Sequence, residues 1–332
     1  MKTLIFPTSE QSYYLAKKFG YDEWMISRFK QYIGHNYEIT KFLEKMEKRP
    51  NLPYIRANTL KIESKNLWQR LTSKGFELEE TILPEVRSVK KAKFAIGATT
   101  EYLLGYYYIQ DLSSCIAVEE LEPDEKHIVL DMAAAPGGKT TLIAQKMNNH
   151  GCIIALEPNR KRIRSLLFNL ARCGIINTYV YNISGDDVSS LDTKFDRVLL
   201  DAPCSGEGVI AKDPSRKTSR KPEDIRCYSM LQVRLIENAL NVIKPNGILI
   251  YSTCSFAPEE NEFVVNWVID KFQSNINVEP IRYGSTAGLT SFGHLEFHSS
   301  LRNTKRFYPH IDNTLGFYIA KLRVRKSTSL EN

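Results

Sequence analysis

From His127 onward, short apolar runs alternate with amphipathic segments, and no other feature restricts the fold as much. The runs are Ile128-Val129-Leu130, Ile153-Ile154-Ala155-Leu156, Tyr179-Val180-Tyr181, Val198-Leu199-Leu200 and Ile248-Leu249-Ile250-Tyr251. Between them, Ile163, Leu166, Leu167 and Leu170 mark one helix face, and Leu231, Leu235, Ala239 and Leu240 another. Short apolar strands separated by helices predict a mostly parallel sheet buried on both faces, a doubly wound α/β domain over 127–325. A last strand, Phe317 to Leu322, follows a long irregular stretch.

The preceding chain reads differently. Residues 1–50 form a helical region in which Asp22 or Ser27 caps one helix and Phe42, Leu43 and Met46 keep helical spacing. Residues 51–96 form a small α+β domain, with a strand at Tyr54–Asn58 and a helix through Leu67, Trp68 and Leu71 that Gly75 ends. Residues 97–126 bridge to the α/β domain through a helix around Cys115 to Leu121, and 326–332 are a tail.

Charge follows this division. Residues 1–95 carry 18 Lys and Arg against 11 Asp and Glu, whereas the remaining chain carries 27 of each, so the net +7 lies in the first segment. Lys90, Lys91 and Lys93 belong to that excess, and a basic domain beside a neutral one suits a polyanionic partner. With 42% hydrophobic and 25% charged residues, the chain is neither low-complexity nor disordered. No apolar run is long enough to span a bilayer and the first ten residues lack a secretory pattern, so a cytoplasmic monomer is expected. The six cysteines are never closer than 21 residues, which excludes zinc knuckles and Cys-x-x-Cys motifs. His294 and His298 have no neighbouring ligands to complete a site, and no metal is expected.

The turn after the first apolar run is Asp131-Met-Ala133-Ala134-Ala135-Pro136-Gly137-Gly138-Lys139-Thr140. Its end resembles a triphosphate-binding loop, but Ala133 stands where that loop requires glycine. Small residues let a ligand approach closely, and the helix amino terminus behind them presents free amides to a carboxylate or a phosphate. Glu157 ends the second run, where nucleotide-binding sheets place the acid that bonds ribose hydroxyls. S-adenosylmethionine and dinucleotides both fit this pattern.

Two cysteines follow two other runs: Cys204 in Asp201-Ala-Pro-Cys204-Ser-Gly206 and Cys254 in Ser252-Thr-Cys254-Ser255. Ligands of open parallel sheets lie at the carboxyl ends of strands, so adjacent strands would bring both thiols to one crevice.

Together these segments resemble the Nol/Nop/Sun family of RNA cytosine-5 methyltransferases. The resemblance rests on Asp131–Thr140, Phe195–Gly206, Tyr251–Ser255, Glu259-Glu-Asn-Glu262 and Arg302–His310, and upstream on Arg56–Lys61 and Ile96–Tyr102, closest to the Nop branch. It implies a Rossmann-like, S-adenosylmethionine-dependent methyltransferase domain with a smaller N-terminal α+β RNA-binding domain. It implies that Cys254 is the nucleophile and that Cys204 assists product release; a Pro-Cys pair alone would favour Cys204, as in DNA-type enzymes. Carbon 5 of cytosine is a weak nucleophile, and thiolate attack at carbon 6 would activate it. A free thiol is only a few per cent ionised at neutral pH, so donors or positive charge are expected beside the sulfur.

By the same resemblance Asp201 lies near base and cofactor, and Lys139 orients Asp201 or the backbone. Cofactor contacts are expected at Ala133, Ala134, Ala135, Pro136, Gly137, Gly138, Lys139, Glu157 and Asp201, with Asp186 replacing the acid that the family carries where Ser184 stands. Lys212, Arg216, Lys217, Arg220 and Lys221 after the Cys204 motif, and Arg302, Lys305, Arg306 and Phe307 later, are expected to hold RNA. Arg160, Lys161, Arg162 and Arg164 read as a helix's outer face. The expected function is formation of 5-methylcytidine in tRNA or rRNA; the alternative is an RNA-binding ribosome-assembly factor with a vestigial methyltransferase fold.

Overall fold

The structure is a computed structural model, described for residues 3–34, 37–47 and 53–325. The described residues form two compact units: one drawn from 3–34, 37–47, 202–237 and 251–325, the other from 53–201 and 238–250.

The second unit contains the parallel strands. Ile128–Asp131 pairs in parallel with Cys152–Leu156 on one side and Phe195–Asp201 on the other, and Thr178–Tyr181 pairs with Cys152–Leu156. The strand Ile243–Thr253 neighbours Phe195–Asp201, so strand order reverses between Ile128–Asp131 and Phe195–Asp201. Such a reversal leaves a crevice beyond the carboxyl ends of the two strands. Val129, Leu130, Ile153, Val198, Leu199 and Leu200 are fully buried, as expected of strands covered on both faces. The helix Gly138–Lys146 follows the first strand and Arg160–Cys173 the second; Asn159 caps the latter by accepting from Lys161 N, and Gly174 ends it.

The same unit holds a four-stranded antiparallel sheet in the order Glu77–Glu80, Val86–Lys91, Tyr54–Ala57, Tyr107–Ile109. Its apolar side packs Ile55, Val89 and Tyr107 against Leu67 and Leu71 of the helix Ser64–Ser73. Tyr107–Ile109 lies in the stretch that the sequence presents as a bridge; three residues are too few to show alternation.

The first unit gathers the amino-terminal helices Glu10–Phe19, Glu23–Ile33 and Tyr37–Glu47 into one core with Ile210, Phe256 and Tyr308. Phe42 meets Phe29, Phe256 and Tyr308 edge to face. Its strands are antiparallel: Phe317–Val324 pairs with Ile276–Glu279 and with Lys305–Phe307. Among the described residues no helix is long and apolar enough to cross a membrane.

Candidate active site

Cys204 and Cys254 stand in loops that each follow a strand, and their sulfurs are 3.0 Å apart. Neither cysteine is in a disulfide, and both are partly accessible. A disulfide would need ~2.05 Å, so this is a close thiol contact without a covalent bond. The next residues repeat the juxtaposition: Ser205 Oγ and Ser255 Oγ are 3.1 Å apart. Backbone packing closes the loops, because Gly208 N donates to Cys254 O and Gly316 N donates to Gly208 O. A side chain on Gly208 would meet Gly316 O at 2.3 Å and Cys254 O at 2.8 Å, so only glycine permits this approach. The hydrogen bond with Cys254, then burial, push the Cys204 thiol well above the ordinary cysteine range.

The second unit shapes the loop after Ile128–Asp131. Asp131 is buried; its carboxylate accepts from Thr140 Oγ1 at 2.8 Å, fastening the loop to the first turn of the Gly138–Lys146 helix. Burial pushes the Asp131 carboxyl up to about 6, against the Thr140 hydrogen bond and the charge of Lys139. Gly137 has φ +106°, and a Cβ there would meet Leu166 Cδ1 at 3.0 Å. Lys139 Nζ lies 2.6 Å from Asp201 Oδ2. Glu157, also buried, accepts from Asn159 N at 2.9 Å and faces Arg162 Nη1 at 3.1 Å. Arg162, exposed like its neighbours on this helix face, also donates to Ala135 O. Asp186 is half-buried, and its backbone N donates to Ser184 Oγ.

The family described as 16S rRNA methyltransferase RsmB/F matches residues 118–323. The chain belongs to this family. It is 39% identical over 316 residues to the Caenorhabditis elegans 26S rRNA (cytosine-C(5))-methyltransferase nsun-1, covering 93% of this chain and 47% of the relative. It is 37% identical over 279 residues to the Pyrococcus abyssi tRNA (cytosine(49)-C(5))-methyltransferase, covering 83% and 89%. A solved methyltransferase homolog protein from Pyrococcus horikoshii superposes with a TM-score of 0.86 at 39% identity, covering 95% of this chain and 99% of that one. The chain spans about half or less of the length of the eukaryotic relatives that it matches.

Within this family member, the basic residues expected to hold RNA fall into distinct environments. Lys212 and Arg302 are exposed. Lys90 pairs with Glu79 and Lys91 with Glu77 across two strands, and Lys93 lies over the Phe94 ring. Arg216 pairs with Asp213 and donates to Ser205 O, bracing the Cys204 loop. Lys217 is held by Glu47 and by Phe19 O, and Arg220 is half-buried. Arg306 is fully buried; its guanidinium donates to both oxygens of Glu262, to Phe256 O and to Tyr308 Oη. That arginine is spent inside the protein, so the sequence reading of it as an RNA contact gives way to a structural role.

Sequence reasoning passed over Glu260, Gln232, Ser205 and Ser255. Glu260 is buried and accepts from Ser205 N, Gln232 Nε2 and Ser255 Oγ at 2.8–3.0 Å. The signal was present in Glu259-Glu-Asn-Glu262, but an acidic run by itself reads as solvated surface.

Proposed function

We propose that the chain is an S-adenosylmethionine-dependent RNA methyltransferase that forms 5-methylcytidine through a covalent bond between Cys254 and carbon 6 of the base. One observation carries this reading: two sulfurs 50 positions apart in sequence lie 3.0 Å from each other in loops that follow two strands. A binding protein with a vestigial fold has no need of such a pair.

The residues around Gly137 suit the methyl donor. The glycine turn leaves room where a side chain would collide, the Gly138–Lys146 helix directs its amino-terminal amides at an anion, and Glu157 supplies a carboxylate for a ribose. When bound, S-adenosylmethionine supplies an electrophilic methyl group.

This chain's own groups do the rest. The target cytosine is unpaired or flipped out, since a stacked and paired base hides carbon 6. Cys254, once a base has taken its proton, is the sulfur that attacks carbon 6, with Cys204 Sγ 3.0 Å away. Attack raises electron density at carbon 5, which takes the methyl group. As a base takes the carbon 5 proton, Cys254 Sγ departs as a thiolate, and Cys204 assists release of the methylated product. Asp201, oriented by Lys139, holds the base's ring nitrogen or amino group. Lys212 and Arg302, both exposed, bind RNA phosphates together with the basic face around Lys90, Lys91 and Lys93. The substrate is a tRNA or an rRNA, and the protein acts in the cytoplasm as a monomer without a metal.

Single-turnover methylation of cellular RNA by the purified chain tests the reading, and bisulfite sequencing of RNA from cells with and without the protein locates the cytosine. No incorporation into any RNA would leave the assembly-factor reading in its place.

A further inference from the structure

Glu259, Glu260, Asn261 and Glu262 are all at or below 1% exposure. Buried carboxylates require partners. Arg28 serves Glu259 and Arg306 serves Glu262, each through two hydrogen bonds. Glu260 is held differently, by uncharged donors that belong to the cysteine loops.

Its Oε2 accepts from the backbone of Ser205, the residue after Cys204, at 2.8 Å and from Gln232 Nε2 at 3.0 Å. The same Gln232 nitrogen donates to the carbonyl of Pro203, the residue before Cys204. Its Oε1 accepts from the hydroxyl of Ser255, the residue after Cys254, at 2.8 Å. One carboxyl group thus ties the neighbours of both cysteines. The Glu260 backbone is itself fixed, because Tyr251 Oη donates to its carbonyl.

We infer that Glu260 is a positioning residue that sets the spacing of Cys204 and Cys254. Being fully buried, it touches neither RNA nor methyl donor and acts only through the two loops. The inference rests on the proposed role of the cysteine pair, but its test does not depend on methyl transfer.

The test measures how fast diamide, a thiol oxidant, converts Cys204 and Cys254 of the full chain into a disulfide, read by peptide mass spectrometry without RNA or methyl donor. Disulfide closure demands narrow sulfur geometry, so Glu260→Ala is expected to slow it about tenfold or more. Glu260→Gln is expected to restore it to within about threefold, because its carbonyl oxygen receives both N–H donors and its amide donates to Ser255 Oγ. Ser255→Ala removes one tie and serves if Glu260→Ala does not fold, with a smaller slowing expected. A folded Glu260→Ala or Ser255→Ala that closes the disulfide at the wild-type rate overturns the inference. In RNA methylation, Glu260→Ala is expected to lower kcat by about 10²-fold with KM little changed, as for a misplaced reacting group. Absence of methylation by the wild-type chain would overturn the proposed enzyme while leaving the disulfide result intact.

Discussion

Lys139 Nζ sits 2.6 Å from Asp201 Oδ2, joining the first turn of the Gly138–Lys146 helix to the end of the strand Phe195–Asp201. The pair is partly exposed, so it adds only ~0–1 kcal/mol to stability, and the role proposed for Lys139 is to aim the carboxyl group. Asp201→Asn is therefore expected to lower the single-turnover rate by about 10²-fold or more while the urea midpoint stays close to wild type. Equal losses of activity and stability would show a structural residue instead.

The roles proposed for the two thiols separate their substitutions. Cys254→Ala removes the proposed attacking sulfur and is expected to abolish methyl transfer. Cys204→Ala leaves attack possible but release impaired, so denaturing gels should show protein covalently bound to RNA. Reversed phenotypes would exchange the roles.

Arg306 and Glu262 form a buried pair with two hydrogen bonds, and removing one partner strands the other charge in the interior. Arg306→Met is expected to cost ~3–5 kcal/mol in urea unfolding. Lys212→Ala, at an exposed position, is expected to leave unfolding unchanged and to reduce the salt dependence of RNA binding by about one phosphate contact. A stable Arg306→Met chain with weakened RNA binding would restore the role that its sequence neighbourhood suggests.

Glu207 carries a stability effect that depends on pH. Burial first, then the nearby Glu260 and Glu259 carboxyls, push its pKa from 4.5 up to about 8, against the charge of Arg28. The folded chain therefore binds a proton that the unfolded chain releases. Its contribution is full below about pH 4.5 and is lost as pH rises to about 8. Glu207→Gln, which stays neutral, is expected to flatten that part of the unfolding profile and to gain on the wild type at pH 8–9. An unchanged slope between pH 5 and 8 would count against a neutral Glu207.

Much of the architecture is legible in the residues themselves. Strand and helix alternation from His127 onward, the small-residue turn at Ala133–Gly138 and the two cysteines after apolar runs are local properties, set by side-chain period and backbone freedom. What a residue touches is not local. Arg306 and Arg302 share one basic segment, yet one is buried against Glu262 and the other faces solvent. Arg162 is exposed like its neighbours, yet the fold also brings Ala135 O and Glu157 within its reach.

By itself the sequence determined the kind of sheet, the order of its strands along the chain and which side chains can carry covalent chemistry. Only the tertiary structure decided that Cys204 and Cys254 meet at 3.0 Å and that Glu260 bonds to both loops. The reason is physical: periodicity acts over a few residues, whereas distance, burial and protonation depend on groups that the chain brings together from 50 positions away.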